Sequence, residues 1–200
     1  MRIVSCRPLL ALVLAAVLAT ATLRAERRTI DADRSTLTVS VYKSGMFSGF
    51  GDNHVIRAPI ASGSISADPP LAVDMIVRSA SLTVLDPKLA ADKRLEVQSR
   101  MLGAEVLDSH TYPEIGFTST SIESVSPDQW TVTGRLSLHG ETRQTTFAVT
   151  RHDGRYQGTV AVKLRDFGIK PISVAGGTVK VKDELKVEFD IVAQNESPRP

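Results

Sequence analysis

Apolar and polar residues alternate along most of the chain beyond residue 35. Leu37, Val39 and Val41 alternate with Thr36, Thr38 and Ser40, and Leu71, Val73, Met75 and Val77 with Ala72, Asp74 and Arg78, Ile76 breaking the pattern. A period of two places each set on one face of a β-strand. The longest case is Trp130, Val132, Gly134, Leu136 and Leu138 against Thr131, Thr133, Arg135, Ser137 and His139. Gly134, on the apolar side, predicts a bend or a close approach where a large side chain does not fit. His139 then reads as a solvated residue beside a turn. Gly140-Glu141 suits a tight type II′ hairpin leading into 142–150, where Thr145, Phe147 and Val149 share a side. Asp153-Gly154 marks a further turn, followed by Tyr156, Gly158, Val160, Val162 and Leu164 on one face. A last hairpin is expected from 178–182, through Asp183-Glu184, into 185–193, with Leu185, Val187, Phe189 and Ile191 facing one way.

One segment departs from this rhythm. Asp86-Pro87 resembles a helix start, and Leu89, Ala90, Leu95, Val97, Met101 and Leu102 recur among charged residues up to Gly103. An amphipathic helix is expected over 87–102, inserted between strands, with a short turn at 104–109. Seven to nine antiparallel strands in one domain predict a closed barrel or a sandwich, because closure removes the unpaired edges that sheets otherwise expose.

Composition places this domain in context. Of 200 residues, 42% are hydrophobic, enough for one sizeable core. Arg2 and Arg7 precede a Leu/Ala/Val run over 9–21, with small residues at Ala19, Ala21 and Ala25, the layout of an export signal. The run is short for a bilayer span. The expected organisation is a signal over 1–25, cleaved after Ala21 or Ala25 or else retained as an anchor, one domain over 26–193, and a disordered tail over 194–200. Of the 24 basic residues, Arg2, Arg7 and Arg24 precede residue 26, leaving 21 against 22 acidic residues, a net of −1. No basic cluster suggests nucleic acid. The sole cysteine, Cys6, lies in the signal, so the mature domain has no thiol chemistry.

Candidate chemistry is sparse. His54, His110, His139 and His152 are far apart, without a close-spaced metal pair. There is no Gly-x-Ser-x-Gly elbow, Gly45–Gly49 lacking that pattern, and Gly176-Gly177 reads as a turn rather than a phosphate cradle. Three readings remain: an apolar ligand carrier, an envelope interaction module with a solid core, and a metal-dependent or hydrolytic enzyme built on His54 or His110. Bulky Phe47, Phe50, Phe117, Phe147, Phe167, Phe189 and Trp130 suit either a filled core or a pocket wall. An eight-stranded barrel is just wide enough for either.

Four stretches resemble the YceI family. Val106-Leu107-Asp108-Ser109-His110-Thr111-Tyr112-Pro113 and the following Phe117-Thr118-Ser119-Thr120 are similar to its acidic turn, Tyr-Pro and Phe-x-Ser-Thr strand. Val132 to Arg143 resembles its Val-x-Gly-x-Leu-x-x-His-Gly-x-Thr-Lys/Arg hairpin, Asp166-Phe167-Gly168-Ile169 its Asp-Phe-Gly element, and Val179 to Ile191 its last hairpin. Where that family often has His-Ser and Lys-His around its first long strand, this chain has Arg34-Ser35 and Tyr42-Lys43. The resemblance implies an all-β, extended eight-stranded antiparallel barrel of lipocalin-like form, with the helix packed against it. It implies a periplasmic, non-enzymatic protein with no cofactor or metal, holding a non-covalent isoprenoid or quinone-like lipid in its channel. Phe117, Trp130, Leu136, Leu138, Phe147 and Phe167 are the candidate wall residues, in packing roles. Transient membrane contact and a homodimer are the further partners such a carrier admits.

Overall fold

The strands form where the alternation is cleanest, and their two-residue turns set the register. The computed structural model describes residues 26–44, 53–174 and 179–194. The expected signal, Phe47 and Phe50, the Gly45–Gly49 stretch, Gly176-Gly177 and the tail beyond 194 lie outside the described residues. In chain order the elements are β1 (Arg27–Thr29), β2 (Thr36–Val41), β3 (Lys43–Ser44), β4 (His54–Arg57), β5 (Ile60–Ser66), β6 (Ala72–Arg78) and β7 (Thr83–Val84). Helix α1 (Ala91–Leu102) follows, then β8 (Glu114–Ser126), β9 (Gln129–Leu138), β10 (Glu141–His152), β11 (Arg155–Lys163), β12 (Ser173–Val174), β13 (Val179–Val181) and β14 (Glu184–Val192).

The main sheet is antiparallel throughout, in the order β1-β5-β6-β8-β9-β10-β11-β14-β2-β4-β7. Its two ends are joined by the chain itself. Only Ala58 and Pro59 separate β4 from β5, and only 30–35 separate β1 from β2. β4 pairs with β2 at one end of this bent pair, and β5 pairs with β1 at the other. Taken as two long bent strands, β1/β2 and β4/β5 complete a ring of eight with β6, β8, β9, β10, β11 and β14. An Ile30–Ala193 bridge ties the β1 end to β14. The predicted barrel class is the fold observed.

Turn geometry differs from expectation at one hairpin. Leu138 pairs with Glu141, so His139-Gly140 are the two turn residues, with φ of 52° and 77°. Two positive φ values define a type I′ geometry, one residue earlier than the expected type II′ turn at Gly140-Glu141. Asp153-Gly154 repeats it, with φ of 48° and 74°. The last predicted hairpin is also corrected. β13 does not pair with β14 but joins β12 and β3 in a separate three-stranded sheet. Asp183 is drawn to the end of β11, its carbonyl accepting from the Leu164 N–H at 2.9 Å and its carboxylate from the Arg165 N–H at 3.0 Å. β14 is then flanked on both sides, by β11 and β2.

The interior divides lengthwise. At one end Phe147 packs between Phe117 and Phe189, at centroid separations of 5.4 and 5.6 Å, over buried Val132 and Val149. Ile30, Ile60, Ile65 and Ile191 complete that packed end. Gly134 lies under the Phe117 ring and Gly158 under the Phe189 ring, so these two glycines admit the aromatics. The other end is hollow.

Helix α1 starts four residues later than expected. Pro87 to Ala90 form a turn, and Ala90 is the N-cap, without a side-chain cap bond. Asp86 does not cap the helix; it turns inward and is buried. No helix among the described residues is long and apolar enough to cross a membrane.

Candidate binding cavity

The hollow end encloses a cavity of about 580 Å³, within the ~300–1,000 Å³ usual for small-ligand sites. Its wall is made by the in-facing members of the alternating strands, among them Val39 and Val41 of β2, Val160 and Val162 of β11, and Leu185 and Val187 of β14. The core is therefore not solid, and the filled-barrel reading does not hold at this end. Apolar walls of this kind offer contact area rather than chemistry, and favour a hydrophobic occupant.

Helix α1 closes one side. Val97 and Met101, four residues apart, face the cavity together, while Leu95 is 68% exposed. One amide docks the helix on the sheet edge. Gln98 Nε2 donates to the Leu82 carbonyl and Gln98 Oε1 accepts from the Val84 N–H, both at 2.8 Å. The side chain thereby substitutes for a missing neighbouring strand beside β7.

Of the expected wall residues, Phe117, Leu136, Leu138 and Phe147 line the cavity. Phe117 and Phe147 form its floor, against the packed end. Trp130 stands away from it, 6.0 Å from Tyr156 and 5.8 Å beneath the Arg151 guanidinium. The Arg151 guanidinium donates to Asp128 and to the Tyr156 oxygen, and these two acceptors, Asp128 first, hold its pKa above the usual value. Phe167 is buried in the main core with Leu164 and Ile169, and does not reach the cavity. Its carbonyl lies 3.2 Å from His139 Nδ1, and the His139 ring packs at 4.4 Å on Tyr112. Tyr112 also covers Gly140. The Tyr-Pro, His-Gly and Asp-Phe-Gly stretches, distant in sequence, thus meet as one clasp at the hollow end. His139 is a half-buried part of that clasp rather than a solvated turn residue.

One polar feature of the wall is not revealed by spacing. His54 opens β4, lines the cavity, and places Nδ1 2.5 Å from Asp86 Oδ2. Asp86 Oδ1 accepts from the Val55 N–H at 2.8 Å. The bond to Asp86 fixes the ring orientation and leaves Nε2 without a partner among the described residues. The two residues lie 32 positions apart, and only the docking of β7 beside β4 brings them together. His110 is exposed, and His152 pairs with its neighbour Asp153 at 3.3 Å. Among the described residues no three His, Cys, Asp or Glu side chains converge as a metal site.

Removing the buried carboxylate tests this anchor. Asp86→Ala leaves the Val55 N–H and the His54 ring without an acceptor, and is expected to cost about 2 kcal/mol in urea unfolding. Asp86→Asn, which keeps one acceptor oxygen, should lose less.

Comparison with known proteins agrees with this architecture. A family model described as YceI-like domain matches residues 29–193. A "UPF0312 protein" of Pseudomonas putida (strain W619) is 34% identical over 103 residues, covering 46% of this chain and 54% of that protein. A "UPF0312 protein" of Vibrio cholerae is 28% identical over 136 residues, covering 63% and 68%. The chain thus spans about half the length of the P. putida relative. Among solved structures, BcnA of Burkholderia cenocepacia superposes with a TM-score of 0.64 at 19% identity, covering 82% of this chain and 99% of that one. This likeness is one of fold.

Proposed function

The chain belongs to the YceI-like domain family, and from that membership we propose that it binds, stores or carries an apolar isoprenoid-type or quinone-like lipid in its barrel, in the periplasm and without catalysing a reaction. The observation that carries this reading is the apolar cavity at the hollow end, bounded below by Phe117 and Phe147 and beside by α1. Burying roughly 500 Å² of ligand apolar surface contributes about 12 kcal/mol at ~25 cal/mol per Å². Lost motion and ordering take back ~4–15 kcal/mol. A long, greasy ligand therefore binds usefully without a charged anchor, whereas a small polar metabolite gains little from these walls.

Export rests on the basic and apolar pattern of 1–25, and fractionation of the native host with mass measurement of the mature chain tests it. The ligand is tested by purifying the protein from its native compartment, extracting it with organic solvent and identifying the extract by mass spectrometry. Stoichiometric isoprenoid is the expected result. Protein that is empty and also fails to take up a labelled isoprenoid would overturn the proposal.

A further inference from the structure

The barrel wall is unpaired along one seam. β10 pairs with β9 over 141–150, and β11 pairs with β14 over its whole length. β10 and β11 meet each other only beside their own turn, where 149–152 pair with 155–158. Among the described residues no ladder joins 141–148 to 159–163. The stretch of β11 along this gap is about 16 Å long, at ~3.3 Å per residue.

The seam is bounded at both ends. Toward the packed end it stops at the hairpin ladder. Toward the open end the short 3-10 turn Leu164–Phe167 leaves β11 and packs beside β10, with the Phe167 carbonyl 3.2 Å from His139 Nδ1. Thr145 and Phe147 on one lip, and Val160 and Val162 on the other, line the cavity, so the gap leads into the lumen.

Paired strands stand ~4.8 Å apart, which leaves no room for a hydrocarbon chain between them. Parting β10 from β11 beyond the hairpin breaks no ladder bond. Parting β9 from β10, or β11 from β14, breaks several. The inward side of the lips is largely apolar, whereas the open end is lined by Lys43, Lys93, Glu96, Arg100 and Lys170. A hydrocarbon tail leaves water more favourably against such lips than past those charges.

We propose that the seam between β10 and β11 is a side window through which an apolar ligand enters and leaves the lumen, the lips parting about the hairpin at Asp153-Gly154. This rests on the lipid reading above and adds the route. The competing role for the seam is to seat the 3-10 turn, whose Leu164 and Phe167 are buried. A seam used only for seating leaves ligand exchange indifferent to its lips.

Tethering the lips separates the two roles. The one cysteine of the chain, Cys6, is first replaced by serine, so that introduced thiols react alone. Extending the register of Val149 and Gly158 sets Thr146 opposite Ala161, both exposed. The double variant Thr146→Cys/Ala161→Cys is joined by a short bis-methanethiosulfonate. The same tether in Thr150→Cys/Gln157→Cys, a pair already in register in the hairpin, is the control. Uptake and release of dansyl-labelled geranylgeraniol are followed by stopped-flow fluorescence. The lip tether should slow both rates about tenfold or more, a barrier rise of about 1.4 kcal/mol. The dissociation constant should stay unchanged, and cleaving the tether with reductant should restore both rates. The hairpin tether should alter neither. Unchanged rates with the lip tether confirmed by mass, or equal slowing by the hairpin tether, overturns the window and leaves the lipid reading standing.

Hydrogen exchange on the untethered protein tests the seam without cross-linking. On each lip, amides facing the seam should exchange faster than the alternate amides bonded to β9 or β14. Equal protection means that the lips are paired in solution, and overturns the window as well. Untethered protein that takes up no probe sinks the lipid reading and the window with it.

Discussion

Gly134→Val is expected to destabilise the barrel by about 3 kcal/mol or more, a large share of the stability of a single domain. A Cβ at this position would lie 2.4 Å from Phe117 Cζ and 2.6 Å from the Thr118 carbonyl oxygen. The ring has little room to swing aside, since Phe147 packs on it and Phe189 packs on Phe147. The carbonyl is backbone of β8, paired with β9 through Thr118 and Arg135, and yields only if the strands part. Gly116, on β8, is the control. A Cβ there meets nothing within 4 Å, and valine suits a strand better than glycine by up to ~1 kcal/mol. Gly116→Val should therefore be neutral or mildly stabilising. Urea unfolding followed by Trp130 fluorescence compares them; indistinguishable midpoints would show that the close approach at Gly134 is not what stabilises this region.

Filling the lumen should separate binding from folding. Val160 and Val187 face each other across β11 and β14, and both line the cavity. Replacing both with phenylalanine inserts two rings into empty space and introduces no polar atom to satisfy. If the rings displace roughly 100 Å² of ligand contact, the loss is about 2.5 kcal/mol at ~25 cal/mol per Å². That corresponds to about seventyfold weaker uptake of a labelled isoprenoid. The melting temperature should hold or rise, because cavity filling commonly adds ~0.5–2 kcal/mol. Undiminished uptake by a folded double variant would place the ligand outside the lumen.

Which features could be read from the sequence follows from the range of the forces behind them. The in-facing sets of β2, β9, β11 and β14 were legible because side-chain direction along a strand alternates locally. Gly134 was legible as a close approach for the same reason, although its occupant, Phe117, was not. The helix boundary was misplaced because Asp86 has the chemistry of a cap. In the fold its carboxylate reaches a better pair of donors, His54 and the Val55 N–H, supplied by a strand 31 residues away. Trp130 and Phe167 carried the bulk expected of a wall, but their places along the barrel axis put one in the packed end and the other behind the wall. Sequence period reports which face a residue takes, not its depth along the axis.

The chain's own pattern sufficed to establish an antiparallel β domain, one inserted helix, the inward faces of its long strands and the absence of thiol chemistry beyond residue 25. Each follows from the character of a residue and its immediate neighbours. The hollow at one end and the aromatic filling of the other, the His54–Asp86 pair and the partner chosen by β13 emerged with ring closure. These depend on which distant segments come to lie side by side, and no local periodicity carries that information.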